Sequence, residues 1–475
     1  MRLVVLFVII CMPYLSAQDG RAQEGLRTSQ IVAIIGGRLV DVAKGTEVDN
    51  TVVLVAGDHI RAVGREGAIA IPPEAKVVDA HSKWLMPGLT DMHVHVGKTL
   101  FISPQLYLAS GVTTVRDTGG DVTVLRFLDR NIRSGKTIGP RLYFAGQILN
   151  APPPASMLVG IPTGILQGDL SGWILVDSEQ RGVSAVNFLA DQGASFIKVY
   201  NDISENVLIA VVTAAHARGL PVAGHIPRVM TMTRAIEIGM DCLEHIRITG
   251  RELLPKEEAD KIDFLPLGRR ETLLWRQFDP NSAAMKNLVN LITKRRVFLD
   301  PTLVVDEAAF RLTLEEVNSE PNNQILPPQA LERLKAFVVP EFRAPAELKA
   351  EAAAGFEKRL RFIEMCHRAG VRLIAGTDGP GLGPTLPGFG LHHELELLVK
   401  AGLTPLDALR AATSTAADAL RADKDLGAIE PGKLADLLIL DADPLQNISN
   451  AQHIYRVMKG GEIYDPRELL ANRGR

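Results

Sequence analysis

Cysteine is nearly absent, with three residues in 475, at positions 11, 242 and 366. So few, at such spacings, exclude a disulfide framework and a structural zinc site built from paired cysteines. Cys242 and Cys366 lie in apolar or helical patterns and are expected as buried free thiols. An excess of one charge is missing too: the formal net charge is −3. That balance offers no electrostatic footprint for nucleic acid or for an anionic membrane surface. Beyond residue 20 no apolar run approaches the length of a membrane span, so none is expected in the mature chain.

What is present suits a globular protein of one large domain and one smaller one, 46% hydrophobic and 23% charged. The start of the chain differs. Met1-Arg2 is a short basic opening, Leu3 to Leu15 is almost continuously apolar, and Ser16-Ala17 precede polar Gln18-Asp19-Gly20. This pattern predicts a secretory signal peptide over residues 1–17 and a secreted or periplasmic mature protein. Ile10 is too large to precede a lipoprotein cysteine at Cys11, so lipidation is not expected.

Residues 30–82 read as short strands (Ile31 to Ile35, Thr51 to Val55, His59 to Val63) broken by glycine turns. The same signature returns over 425–465, in Ala435 to Leu440, Ile454 to Met458 and Glu462 to Tyr464. One composite β-sandwich domain built from both chain ends is the economical reading. Between them, over 83–424, strands alternate with helices predicted at Val122–Ser134, Glu205–Arg218, Thr231–Ile238 and Phe356–Ala369. Repeated βα units of this length predict an α/β fold, a (β/α)8 TIM-like barrel. The Pro-rich, charge-rich stretch at about 250–350 reads as a helical insertion over the barrel mouth, a lid or pocket wall.

His93 and His95 stand one residue apart after the apolar run Trp84-Leu85-Met86 and the turn Pro87-Gly88. Alternate strand residues point to one side, so both imidazoles would project together, as two ligands on one metal must. In isolation such a pair is more often two solvated or structural histidines. Lys198, His225, His245 and Asp378, however, also fall at predicted strand ends, where barrels carry catalytic groups.

These residues lie in motifs that resemble the metal-dependent amidohydrolase superfamily, in its imidazolonepropionase-like branch of prolidase-type dipeptidases and ochratoxin-hydrolysing amidases. The motifs are Pro87-Gly88 through His95, Gly111 to Asp117, Phe196 to Val199, Gly224-His225, Glu244-His245, Gly376 to Asp378, Leu391 to Leu398 and Gly432 to Asp441. The resemblance implies two divalent metal ions, zinc being the expected element. His93, His95 and Asp378 would hold the more buried ion and His225 and His245 the other. Lys198 would bridge them as a carboxylated lysine, because a carbamate is an oxygen-donor anion where an ammonium would repel a cation.

The implied activity is hydrolysis of an amide bond in dipeptides or N-acyl amino acids, with Asp378 moving the proton and Tyr200 stabilising the oxyanion. Imidazolonepropionase itself lacks the bridging lysine, so Lys198 speaks against that activity. Arg228 and Arg247, just beyond His225 and His245, are candidates to grip a substrate carboxylate, and His392 is a further substrate-binding candidate. Arg116-Asp117 reads as a structural pair or as support behind the ligands. The alternatives are a cyclic amide, lactone or carbamate hydrolase, and a non-catalytic binding homologue on the same fold. The expected partner is a small-molecule substrate, with assembly into a homo-oligomer left open.

Overall fold

The computed structural model describes residues 30–99, 103–152, 170–311, 328, 331–332, 344–379 and 386–471. The expected signal peptide and part of the 250–350 stretch lie outside these residues.

Strands Ile31–Asp41, Thr46–Ala56 and His59–Arg65 pair antiparallel in succession across short turns. The first of them is kinked at Gly36, whose φ of 79° suits a residue without a Cβ. Before the kink it pairs parallel with Lys76–Asp79, and after it with Trp84–Pro87. Leu437–Leu440 then pairs antiparallel with Trp84–Pro87, and Ile454–Lys459 and Glu462–Tyr464 extend the sheet outward. Both chain ends therefore share one eight-stranded sheet. Residues from opposite ends of that path, Ile60 and Met458 among them, pack into one apolar core with Val32, Leu85 and Leu437. The path thus folds back on itself as a sandwich does.

The larger unit is a ring of eight short strands: Leu89–Val94, Val112–Asp117, Arg141–Phe144, Ile197–Val199, Val222–Gly224, Cys242–Glu244, Phe298–Asp300 and Arg372–Leu373. Neighbours pair in parallel. Backbone bonds close the two remaining joints. Ser195 N–H donates to Phe144 O at 2.8 Å, and Met92 N–H donates to Ala375 O at 2.9 Å. Helices Val122–Arg133, Glu205–Ala217, Met232–Ile238, Lys349–Arg368 and Phe389–Lys400 alternate with the strands, which makes the unit a (β/α)8 barrel. The first is typical of their logic: Asp121 accepts from the Thr123 and Val124 N–H groups as its cap, and Val122, Leu125, Leu128 and Ile132 form its buried stripe.

Two expectations are corrected. The smaller unit does not end at residue 82, because Trp84–Pro87 belongs to its sheet. The chain turns at Pro87-Gly88 and starts a new strand, Leu89–Val94, in the barrel. Gly88 is needed at that switch, since a Cβ there would fall onto the Thr113 side chain. Nor is 250–350 purely a helical excursion. It includes Phe298–Asp300, the seventh barrel strand, preceded by Ala283–Arg295 as a barrel helix. Among the described residues, the excursion before that strand is the run of helices from Gly250 to Gln277.

Candidate metal centre

The predicted residues meet at the C-terminal ends of the strands. His93 is the penultimate residue of Leu89–Val94, and His95 stands one position past its end. Lys198 is central in Ile197–Val199, while His225 and His245 directly follow Val222–Gly224 and Cys242–Glu244. Asp378 lies five residues beyond Leu373. Its Oδ1 is 3.5 Å from His93 Nε2 and 3.1 Å from His95 Nε2, and its Oδ2 is 3.9 Å from His245 Nε2. His225 joins through ring contact with His245, 4.7 Å between centroids.

Every imidazole presents the same nitrogen to this centre because its Nδ1 is committed elsewhere. His93 Nδ1 meets Glu244 Oε2 at 2.7 Å, and His95 Nδ1 meets Gly119 O at 3.0 Å. His225 Nδ1 meets Asn201 Oδ1 at 2.9 Å, and His245 Nδ1 meets Thr302 Oγ1 at 2.6 Å. Such partners fix ring orientation and leave the Nε2 lone pair free to bind. Backbone strain marks the same place: His245 (φ 60°), Thr302 (φ 45°) and Asp378 (φ 51°) all sit in the left-handed region.

Burial and mutual repulsion shape the charges. His93 is pushed down to about 4, by burial first and then by Lys198 nearby. Burial and the neighbouring cationic groups also hold His225 and His245 well below the ordinary imidazole value. Asp378 is the reverse: burial alone would raise it, but His93, His95 and His245 outweigh that and keep it ionised. Lys198 is 1% exposed, and its Nζ has no hydrogen-bond partner. Burial lowers its pKa too.

A buried amine without a partner, facing imidazoles and a carboxylate, is a costly arrangement unless something is bound there. Neutral nitrogen and anionic oxygen donors fit a divalent ion such as zinc. Donor atoms of His93, His95 and Asp378 lie within 4.8 Å of one another, and so do those of His93, Glu244 and Asp300. The second group is a poor cation site, because Arg116 Nη2 already sits 2.7 Å from Glu244 and 3.5 Å from Asp300. It is better read as an ion-pair cluster behind His93.

Arg116 and Asp117 do not pair with each other. Adjacent strand residues face opposite ways, so Arg116 turns to Glu244 and Asp300 while Asp117 accepts from the Gly97 and Gly119 N–H groups. Tyr200 packs on His225, 4.1 Å between ring centroids, and burial raises its phenol to about 12. Arg228 Nη1 is held 2.5 Å from Asp202 Oδ1, and Arg247 Nη1 lies 3.0 Å from Asp306 and 3.4 Å from Glu271. His392 is a correction. Its Nε2 contacts Ser110 O at 2.8 Å, just before strand Val112–Asp117. That is the opposite end of the strand from the centre, so His392 cannot reach a substrate there. Cys242 and Cys366 are buried free thiols.

Glu244, Asp300, Asn201 and Thr302, whose support roles sequence reasoning missed, all stand within two residues of a strand end. Asp91 belongs with them. It accepts from Thr377 N–H and Oγ1 at 3.1 and 2.8 Å and from His93 N–H at 3.2 Å, bracing the loop that carries Asp378.

A (β/α)8 barrel with imidazoles, a buried lysine and an aspartate at its strand ends defines a class of hydrolytic enzymes built around a metal centre. The profile described as "Amidohydrolase family" matches residues 84–464, and the chain belongs to that family. It is 28% identical over 177 residues to an uncharacterized protein of Mycobacterium tuberculosis; that match covers 34% of this chain and less than half, 44%, of the relative. In structure it is similar to a Xaa-Pro dipeptidase solved with methionine in its active site. There the TM-score is 0.66 and the identity 22%, over 92% of this chain and 100% of the other. It is also similar to A. niger ochratoxinase, with a TM-score of 0.65 and 21% identity over 92% and 96% of the two chains. At these identities the likeness is one of fold.

Proposed function

We propose that this hydrolase is exported and cleaves amide bonds of dipeptides or N-acyl amino acids at a centre of two divalent ions, zinc in the first instance. One observation carries the reading: four imidazoles, Asp378 and the unpartnered Nζ of Lys198 converge on a single buried spot. The dipeptidase and the ochratoxinase of similar fold support this substrate class. His93, His95 and Asp378 would hold one ion and His225 and His245 the other, with Lys198 bridging them. For that, Nζ bonds to the carbon of carbon dioxide and releases one proton to solvent, which leaves a carbamate.

When bound, such ions polarise the scissile carbonyl and acidify a water. Asp378 accepts the proton of the attacking water and hands it to the leaving amine, a role that its ionised state permits. Tyr200, kept protonated by its raised pKa, donates to the carbonyl oxygen as charge builds there. Arg228, with 15% of its side chain exposed against 8% for Arg247, is assigned to the substrate carboxylate. Arg228→Ala should raise KM for substrates with a free carboxylate about tenfold and leave kcat alone; an unchanged KM removes this assignment.

The decisive experiment is amine release from a library of dipeptides and N-acyl amino acids, using zinc-loaded protein. Cleavage that vanishes in Asp378→Asn supports the reading. A silent library with metal bound redirects it to lactones, cyclic amides and carbamates. Export rests on the Leu3–Leu15 run, and N-terminal sequencing of mature protein should begin near Gln18.

A further inference from the structure

Helix Leu303–Arg311 starts directly after Thr302, which places Thr302 at the N-cap position. A threonine there ordinarily turns its hydroxyl back to accept from the N–H groups two or three residues on. Here the hydroxyl faces the other way, 2.6 Å from His245 Nδ1. The N–H groups at the start of the helix are satisfied instead by a residue 90 positions further along the chain. Glu394, on helix Phe389–Lys400, accepts from Leu303 N–H at 2.9 Å through one carboxylate oxygen and from Val304 N–H at 2.8 Å through the other. Glu394 and Thr302 are both 0% exposed, so water cannot take over either task. Thr302 is also a β-branched residue at φ 45°, a conformation that persists only when its surroundings enforce it. Two bonds from one carboxylate to the next two N–H groups supply that enforcement.

We propose that Glu394 is a positioning residue for His245: it caps helix Leu303–Arg311 in place of Thr302, which frees the Thr302 hydroxyl to orient the His245 ring. The inference rests on the proposed role of His245 in holding the second ion. A neutral amide in place of the carboxylate keeps one acceptor oxygen and turns an NH2 group toward the other N–H, so one of these two buried N–H groups is left unsatisfied. An N-cap hydroxyl ordinarily accepts from the N–H two residues on, here Val304, and recruitment of Thr302 to that bond releases His245 Nδ1.

The test is the affinity of the more weakly held zinc ion in the purified holoenzyme, read by competition with a chromophoric chelator. Glu394→Gln should weaken that ion about tenfold and leave the tighter one unchanged, the size expected for loss of a partner behind a ligand. Thr302→Val, which keeps the Glu394 cap, should weaken the same ion similarly, and Thr302→Ser should restore wild-type affinity. The double variant should be no weaker than either single one, because both act through one bond. Wild-type affinity in Glu394→Gln, or losses that multiply in the double variant, overturns the inference while the two-ion centre stands. Wild-type protein that takes up no zinc overturns the centre, and the inference with it.

Discussion

The two halves of the centre are built from the same side chain but backed differently. Behind His93 stand full charges: Glu244 at 2.7 Å, and Arg116 bonded to that carboxylate at 2.7 Å. Behind His225 and His245 stand an amide oxygen, from Asn201, and a hydroxyl, from Thr302. A carboxylate makes an imidazole a stronger donor than a neutral acceptor does. In the proposed two-ion centre, the half at His93 would therefore hold its ion the more firmly, and the half at His225 and His245 the more loosely.

Asp378 touches both halves, so its loss should have the largest effect. Asp378→Asn is expected to lower kcat/KM by about 10³-fold or more, the scale of general acid–base catalysis; a loss below tenfold would remove it from proton transfer. Next is the charged half alone. Glu244→Gln leaves Arg116 buried beside Asp300 with its main partner gone. It should cost about 3–5 kcal/mol of stability and loosen the tighter ion about 10–100-fold, read by urea unfolding and by chelator competition. On the neutral side, Asn201→Ala should loosen only the weaker ion, by tenfold at most. Equal losses on the two sides would abolish the distinction.

The mildest perturbation is pH, applied to metal-free protein. His93 is depressed from 6.5 to about 4, and His225 and His245 are also lowered. The unfolded chain binds protons near pH 6.5 that the folded chain refuses until about pH 4, so acid favours unfolding. Stability of the metal-free form should thus be intact above about pH 6.5 and fall as pH drops toward 4. A thermal midpoint flat across that window in the metal-free form would count against neutral buried imidazoles.

The candidate ligands were legible because each one lies in or shortly after a short apolar strand inside a repeating βα pattern. Lys198 between Ile197 and Val199, and His245 after Cys242-Leu243-Glu244, are of that kind. Their supports were not legible. Thr302 and Asn201 look like ordinary loop residues until the fold sets them beside His245 and His225, across 57 and 24 positions of chain. Asp300 was hidden because its strand has only three residues and follows a run of helices. The turn at Pro87-Gly88 was legible, but sequence patterning sets the domain boundary before Trp84, because apolar residues continue on both sides and only pairing tells the two sheets apart. His392 misled because its neighbours resemble a site motif, whereas helix Phe389–Lys400 turns that ring toward Ser110 and gives Glu394 the inward position.

The pairing of Leu437–Leu440 with Trp84–Pro87 bears on how the molecule is made. A ribosome that has reached residue 430 has already synthesised His93, His95, Lys198, His225, His245 and Asp378. It has not yet supplied the three strands that lie beyond Trp84–Pro87 in the shared sheet. Strand Trp84–Pro87 must therefore wait, with one edge open, until the last tenth or so of the chain emerges.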